Sequence, residues 1–174
     1  MLLREATHDD IPAIARVHVD AWRTTYRGIF PDELLQNMTY QRRENGWLRV
    51  FDGALGDDIF TYVVENQLGQ IIGFANGGLE REGNSVYPGE LFAIYILEAY
   101  QRQGIGCELM QAVAYKLAQM NIHTMLVWVL EDNPACRFYE AIGGQRVYQK
   151  DIERGGAIFT EVAYGWTDTS RVCC

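Results

Sequence analysis

The chain has 174 residues, 48% apolar and 22% charged, with 15 basic and 23 acidic side chains and a formal net charge of -8. That length supports one domain over residues 1–174 with a core of its own, and the composition excludes a disordered chain, a collagen-like chain and a coiled coil. The acidity argues against binding nucleic acid or an anionic membrane surface through phosphates. Residues 1–50 hold seven basic and seven acidic side chains, so the whole -8 falls in residues 51–174. Such an acidic portion serves solubility and also attracts cations.

Leu2 to Ala6 reads as a first strand. Thr7-His8-Asp9-Asp10 supplies capping side chains and Pro12 a first-turn proline. Ile11, Ile14, Ala15, Val17, His18, Ala21 and Trp22 recur at helical spacing, which predicts a helix to about Tyr26, ended by Gly28. A second helical piece starts at Pro31-Asp32-Glu33, and a third covers 40–51. Strand composition follows at 59–65 and 71–76, joined by the turn Asn66 to Gln70 as an antiparallel hairpin. Another strand is expected from Val86 to Leu97, then a glycine-bearing loop at Gln101 to Gly106. A helix follows, with its apolar stripe from Ile105 to Met120. His123 to Leu130 is a continuous apolar strand. Asn133-Pro134 opens a helix closed by Gly143-Gly144. Strands at 145–150 and 157–166 finish the chain. The order implies an α+β fold, an α/β sandwich with a mixed central sheet of seven predicted strands flanked by helices. One parallel crossover lies at 86–130.

No Cys-x-x-Cys pair exists among Cys107, Cys136, Cys173 and Cys174, so zinc-ribbon and thioredoxin motifs are excluded. A disulfide framework is not expected, and reduced thiols fit a cytosolic protein. His8, His18 and His123 show no ligand spacing, so no metal is expected. Charge enters at Arg4, too early for a signal peptide, and no apolar run reaches membrane-span length. The expected location is cytoplasmic.

The loop Gln101-Arg102-Gln103-Gly104-Ile105-Gly106 sits between a strand and a helix. There, main-chain N–H groups and the positive helix end can cradle a phosphate, or the glycines can simply turn the chain. A Walker loop is excluded because Cys107 follows Gly106. A dinucleotide fingerprint is excluded because its third small residue would be Leu109.

Gln101, Gly104 and Gly106 match the coenzyme A signature of the GNAT acetyltransferase superfamily. Leu91 to Ile96 resembles its central strand. Ala135-Cys136-Arg137-Phe138-Tyr139, with Gly143-Gly144 after it, resembles its second signature. The resemblance implies a GNAT fold and an N-acetyltransferase that uses acetyl-CoA as cosubstrate, the acceptor amine attacking directly in a ternary complex. It places the pyrophosphate on Arg102, Gln103, Gly104, Ile105, Gly106 and Cys107. It places the pantetheine arm along Ile94, Tyr95 and Ile96, in a slot opened by a bulge between the strands at 90–97 and 123–130.

The family's carboxylate base falls on Glu90, acting directly or through water; the residue also fits a solvated strand-end charge. Its general acid falls on Tyr139, which also fits a core aromatic. Asp132 stands where the family has its coenzyme-contacting Asn, with Asn133 next to it, so either can make that contact. Trp22 and Tyr26, four apart, line an acceptor pocket or belong to the core. Arg23 and Arg27 form a solvated face or bind an acceptor carboxylate. The acceptor is a small-molecule or protein amine, and the acidic bias leans toward a small cationic one. The family habit implies a homodimer, with Tyr164 and Trp166 as an interface. The alternatives are a non-catalytic coenzyme A-binding sensor or module, and an acyltransferase with another acceptor or acyl chain.

Overall fold

A computed structural model describes residues 1–54, 56 and 58–172. Cys173 and Cys174, which the sequence places on a frayed tail, lie outside the described residues. The strands are β1 (Leu2–Glu5), β2 (Phe60–Glu65), β3 (Ile71–Leu79), β4 (Gly89–Ile96), β5 (Met125–Leu130), β6 (Gln145–Arg154) and β7 (Ala157–Trp166). The helices are α1 (Ile11–Thr25), α2 (Asp32–Gln36), α3 (Tyr40–Phe51), α4 (Ile105–Gln119) and α5 (Ala135–Ala141). All seven strands join one sheet in the order β1-β2-β3-β4-β5-β7-β6. Among the strands of the described residues, only β4 and β5 pair in parallel, as the crossover at 86–130 requires.

Strand alternation explains why β2 and β3 are apolar almost throughout. Val63 and Phe74 turn toward Ile11, Ile14 and Val17 of α1 and Trp47 of α3. Val64, Ile72 and Ala75 turn to the opposite face, onto Leu109, Met110, Val113 and Leu117 of α4. Helices therefore cover both faces of the sheet, and successive side chains are buried on alternate sides. The start of α1 is tied down by Asp10, whose carboxylate accepts from the Thr7 N–H at 2.7 Å and from both terminal nitrogens of Arg4 at 2.7 and 2.8 Å.

The structure moves several expected boundaries. β3 runs on to Leu79 because Gly77 and Gly78 mark close approach rather than a turn. A Cβ at Gly77 would stand 2.9 Å from the Glu90 carbonyl, and one at Gly78 2.6 Å from the Asp58 carbonyl. β4 starts at Gly89, not Val86, because the Asn84 side chain accepts from the Val86 and Tyr87 N–H groups in a turn. β5 starts at Met125. β6 continues to Arg154, where Gly155 and Gly156, with φ of +60° and +78°, turn the chain into β7. Tyr164 and Trp166 are not a surface: each is 3% exposed, and the Trp166 indole N–H donates to the Ile142 carbonyl at 3.0 Å.

Candidate active site

β4 and β5 pair only from Gly89 to Leu91, opposite Met125 to Val127. On its other side, β4 loses one residue of register against β3. Asn76 faces Ala93 and Gly77 faces Leu91, so Phe92 is the extra, bulged residue. Beyond it the β5-facing edge of β4 has no strand partner, and a slot opens where the sequence placed one. The bulge sets Phe92 and Ala93 on the same side, lining a cavity of about 890 Å³. Ile94 and Ile96 pack against the α4 cluster.

The loop at 101–106 closes one end of this slot. Gly104 takes φ +84° and caps α4, while Arg102 also sits in the left-handed region at +60°. Among the described residues, the main-chain N–H groups of 102–106 donate to nothing within the protein. A row of free donors at the start of a 15-residue helix is an arrangement able to hold an anion. The side-chain amides of Gln101 and Gln103 hold the loop itself, donating to the carbonyls of Ile96 at 3.0 Å and Ala99 at 3.1 Å. The expectation of reduced thiols holds for Cys136 but not for Cys107, which is disulfide-bonded.

At the middle of the slot three phenols gather. Tyr26 and Tyr95 place their hydroxyls 3.3 Å apart, and the Asn133 amide donates to Tyr26 at 3.4 Å. Of the two residues left open by the motif, Asn133 is thus the one turned inward. It is buried, and its carbonyl oxygen accepts from the Ala135 N–H at 2.9 Å, starting α5. Asp132 is exposed. Tyr139 on α5 is 4% exposed and packs against Phe138, Tyr164 and Trp166. Burial, with Tyr26 and Cys136 close by, pushes its phenol well above the ordinary tyrosine range. Burial likewise raises Tyr95 and Tyr26. All three stay protonated at neutral pH.

Glu90 is not a solvated strand-end charge. It is 1% exposed, and Arg81 holds both its oxygens, through Nε at 3.0 Å, through the backbone N–H at 3.3 Å and through the Nη2 contact to the other oxygen. The Arg81 guanidinium also lies over the Phe92 ring at 4.6 Å. Bulge, carboxylate and guanidinium therefore form one unit at the cavity wall. Trp22, Tyr26 and Phe30 pack as mutually tilted rings with centres 4.9 to 5.2 Å apart, and all three line the same cavity. Arg23 faces elsewhere, donating to the Met38 carbonyl at 2.9 Å, and Arg27 is exposed.

Among the cavity residues to which the sequence assigned no role are His18, Arg43, Arg81 and Glu161. His18 stands one turn before Trp22 on the same helix face, the one available signal. Its ring stacks on Tyr95 at 4.8 Å, and its Nδ1 accepts from the Trp47 indole at 3.2 Å. Burial, with Arg43 nearby, pushes its pKa down to about 3, so it is neutral with its proton on Nε2. Among the described residues there is no group of His, Cys, Asp and Glu able to hold a metal ion, and no helix is long and apolar enough to cross a membrane.

Comparison with known proteins agrees with this geometry. The FR47-like protein family model matches residues 78–152, which run from the end of β3 into β6. The chain is 41% identical over 171 residues to the uncharacterized N-acetyltransferase YuaI of Bacillus subtilis (strain 168), covering 98% of this chain and 95% of that one. The fold superposes on the ribosomal-protein-alanine N-acetyltransferase of Brucella melitensis with a TM-score of 0.72 at 22% identity, covering 95% of this chain and 99% of the other. It also superposes on the PaiA N-acetyltransferase of Thermoplasma acidophilum, solved in complex with coenzyme A, with a TM-score of 0.67 at 19% identity over 92% and 96% of the two chains. The chain belongs to the GNAT superfamily, and it is an acyltransferase of that fold.

Proposed function

We propose that the protein transfers the acetyl group of acetyl-CoA to a primary amine by direct attack in a ternary complex. The observation that carries this reading is the junction of two features: the unpartnered edge of β4 beyond Phe92, and the free N–H row of 102–106 at its end. An edge takes an amide-bearing arm as a further strand would be taken, and the N–H row takes a pyrophosphate. On this reading Ile94 to Ile96 carry the arm and Arg102 to Cys107 the phosphates, with Asn133 at the thioester end.

An ammonium acceptor of ordinary pKa, about 10.4, must first lose a proton. Glu90 receives it through water, since Arg81 occupies both carboxylate oxygens. A second reading rests on Glu161, the one cavity carboxylate with no hydrogen-bond or ion-pair partner among the described residues, close enough to raise Tyr26. The amine nitrogen bonds to the carbonyl carbon, the carbon–sulfur bond breaks, and Tyr139 offers its O–H to the departing sulfur. A coenzyme-binding module would keep the cradle and have no use for Tyr139.

The test is calorimetric titration with acetyl-CoA, followed by thiol release against a panel of amines. Tyr139→Phe is expected to lower turnover about 10²-fold while leaving acetyl-CoA affinity within about threefold. Binding with no thiol release from any amine would favour the module. Glu90→Gln and Glu161→Gln, compared for loss of the acid-side limb of kcat against pH, separate the two bases.

A further inference from the structure

The cavity runs against the charge of the chain. In a protein of net charge -8, it is lined by five cationic and three anionic side chains. Two pairs cancel: Arg81 with Glu90, and Lys150 with Glu82 at 2.9 Å. What remains is Arg42, Arg43 and Arg154 against Glu161.

Arg43 is the telling member. It projects from the first turns of α3 and is half-buried, near enough to His18 and Tyr95 to influence both. Among the described residues its side chain makes no hydrogen bond and no ion pair; only its backbone N–H donates, to the Thr39 carbonyl at 3.1 Å. Burial without a counter-ion holds its guanidinium below the ordinary arginine value. No buried side-chain nitrogen or oxygen is left without a partner among the described residues, so the Arg43 donors open onto the cavity, where an anionic ligand would meet them with acceptor oxygens. His18 is neutral, and the protonated phenols of Tyr26 and Tyr95 carry no counter-charge for it. The anion cradle of the coenzyme lies outside this cavity: none of residues 101–107 lines it, so the coenzyme phosphates are not what Arg43 awaits.

Resting on the transferase reading above, we infer that the acceptor is a small amine that also carries an anionic group, a carboxylate or phosphonate, and that Arg43 binds that group in the cavity. Arg42, exposed beside it on α3, adds to the local potential. Trp22, Phe92 and Trp128 supply an apolar wall for the body of the acceptor.

The experiment pairs each common α-amino acid, and a set of aminoalkylphosphonates, with the amine left when the anionic group is removed. Two signals are read on the full-length protein. One is thiol release from acetyl-CoA. The other is tryptophan fluorescence from Trp22 and Trp128, which reports acceptor binding without transfer. The wild-type protein is expected to prefer at least one anionic member over its stripped partner by tenfold or more in kcat/KM and in binding. Arg43→Met is expected to cut that preference at least tenfold, and Arg43→Lys less, because it keeps the charge and loses the two-pronged donor. Acetyl-CoA binding with a preference for stripped amines would overturn the inference and leave the transferase intact. So would a preference that Arg43→Met leaves unchanged, or the lack of any saturable signal from every anionic amine. Failure of acetyl-CoA to bind would sink the transferase reading, and the fluorescence arm would still decide the role of Arg43.

Discussion

Gly104 and Gly106 stand two positions apart in the cradle and are needed for different reasons. Gly104 has φ +84° and open space where a Cβ would go. Its demand is conformational, so Gly104→Ala should cost about 1–2 kcal/mol, and Gly104→Asn less, because asparagine tolerates that region. At Gly106 a Cβ would meet the Phe138 ring at 3.1 Å, and the backbone is ordinary helix. Its demand is steric, the close approach of α4 to α5, so Gly106→Ala should cost about 1–3 kcal/mol. Urea midpoints check both. A Gly106→Ala protein as stable as the wild type would mean that Phe138 yields freely.

α1 and α3 meet the sheet through His18, Trp47, Phe74 and Tyr95. This packing keeps His18 neutral and therefore makes stability depend on pH. The unfolded chain takes up a proton near 6.5, whereas the folded chain takes it up only near 3. Between those values the unfolded state binds more protons, so stability falls as pH drops from 6.5, by up to about 1.4 kcal/mol per pH unit, and is level above. Asp10 adds a separate loss: Arg4 holds it at about 2 against 3.8 unfolded, so its contribution fades as pH falls through that window. His18→Gln keeps an acceptor for the Trp47 indole and removes the titration. Denaturant midpoints from pH 7 to 4.5 should then lose most of their slope. An unchanged slope would place the acid sensitivity elsewhere.

For the molecule as a whole, the two parts of the sheet are joined at the β4–β5 seam by three residue pairs. A coenzyme in the proposed slot would touch β4, the start of α4 and α5, and so bridge that seam. Acetyl-CoA at a hundred times its Kd should add about 2.7 kcal/mol of stability. For a chain of this size that is a rise of about 5–10 °C in Tm. Amide exchange should slow together in residues 92–96 and 102–106. A thermal melt unmoved by saturating acetyl-CoA would refute the slot. The sign of the whole-chain charge also differs from that of the groups lining the cavity. The field inside a cleft is set by the few groups that line it, and here those are cationic in excess.

The helix at 40–51, the capped start of α1, the glycine loop and the order of strands were all legible in the amino-acid sequence. Each rests on periodicity, caps or short motifs, which are local properties of a chain. The signature residues likewise pointed to Tyr139 and to the slot beside β4. What the linear pattern did not carry was who neighbours whom. Glycines at 77 and 78 look like a strand end until the facing carbonyls are seen. Glu90 looks like a surface charge until Arg81 folds over it and Phe92. Arg43 looks like one more solvated helix cation until the fold sets it, half-buried, near His18 and Tyr95 on the cavity wall. Burial and charge pairing are decided by atoms brought together from distant parts of the chain. So the fold class was written in the sequence, while the polarity of the cavity was decided only by tertiary structure.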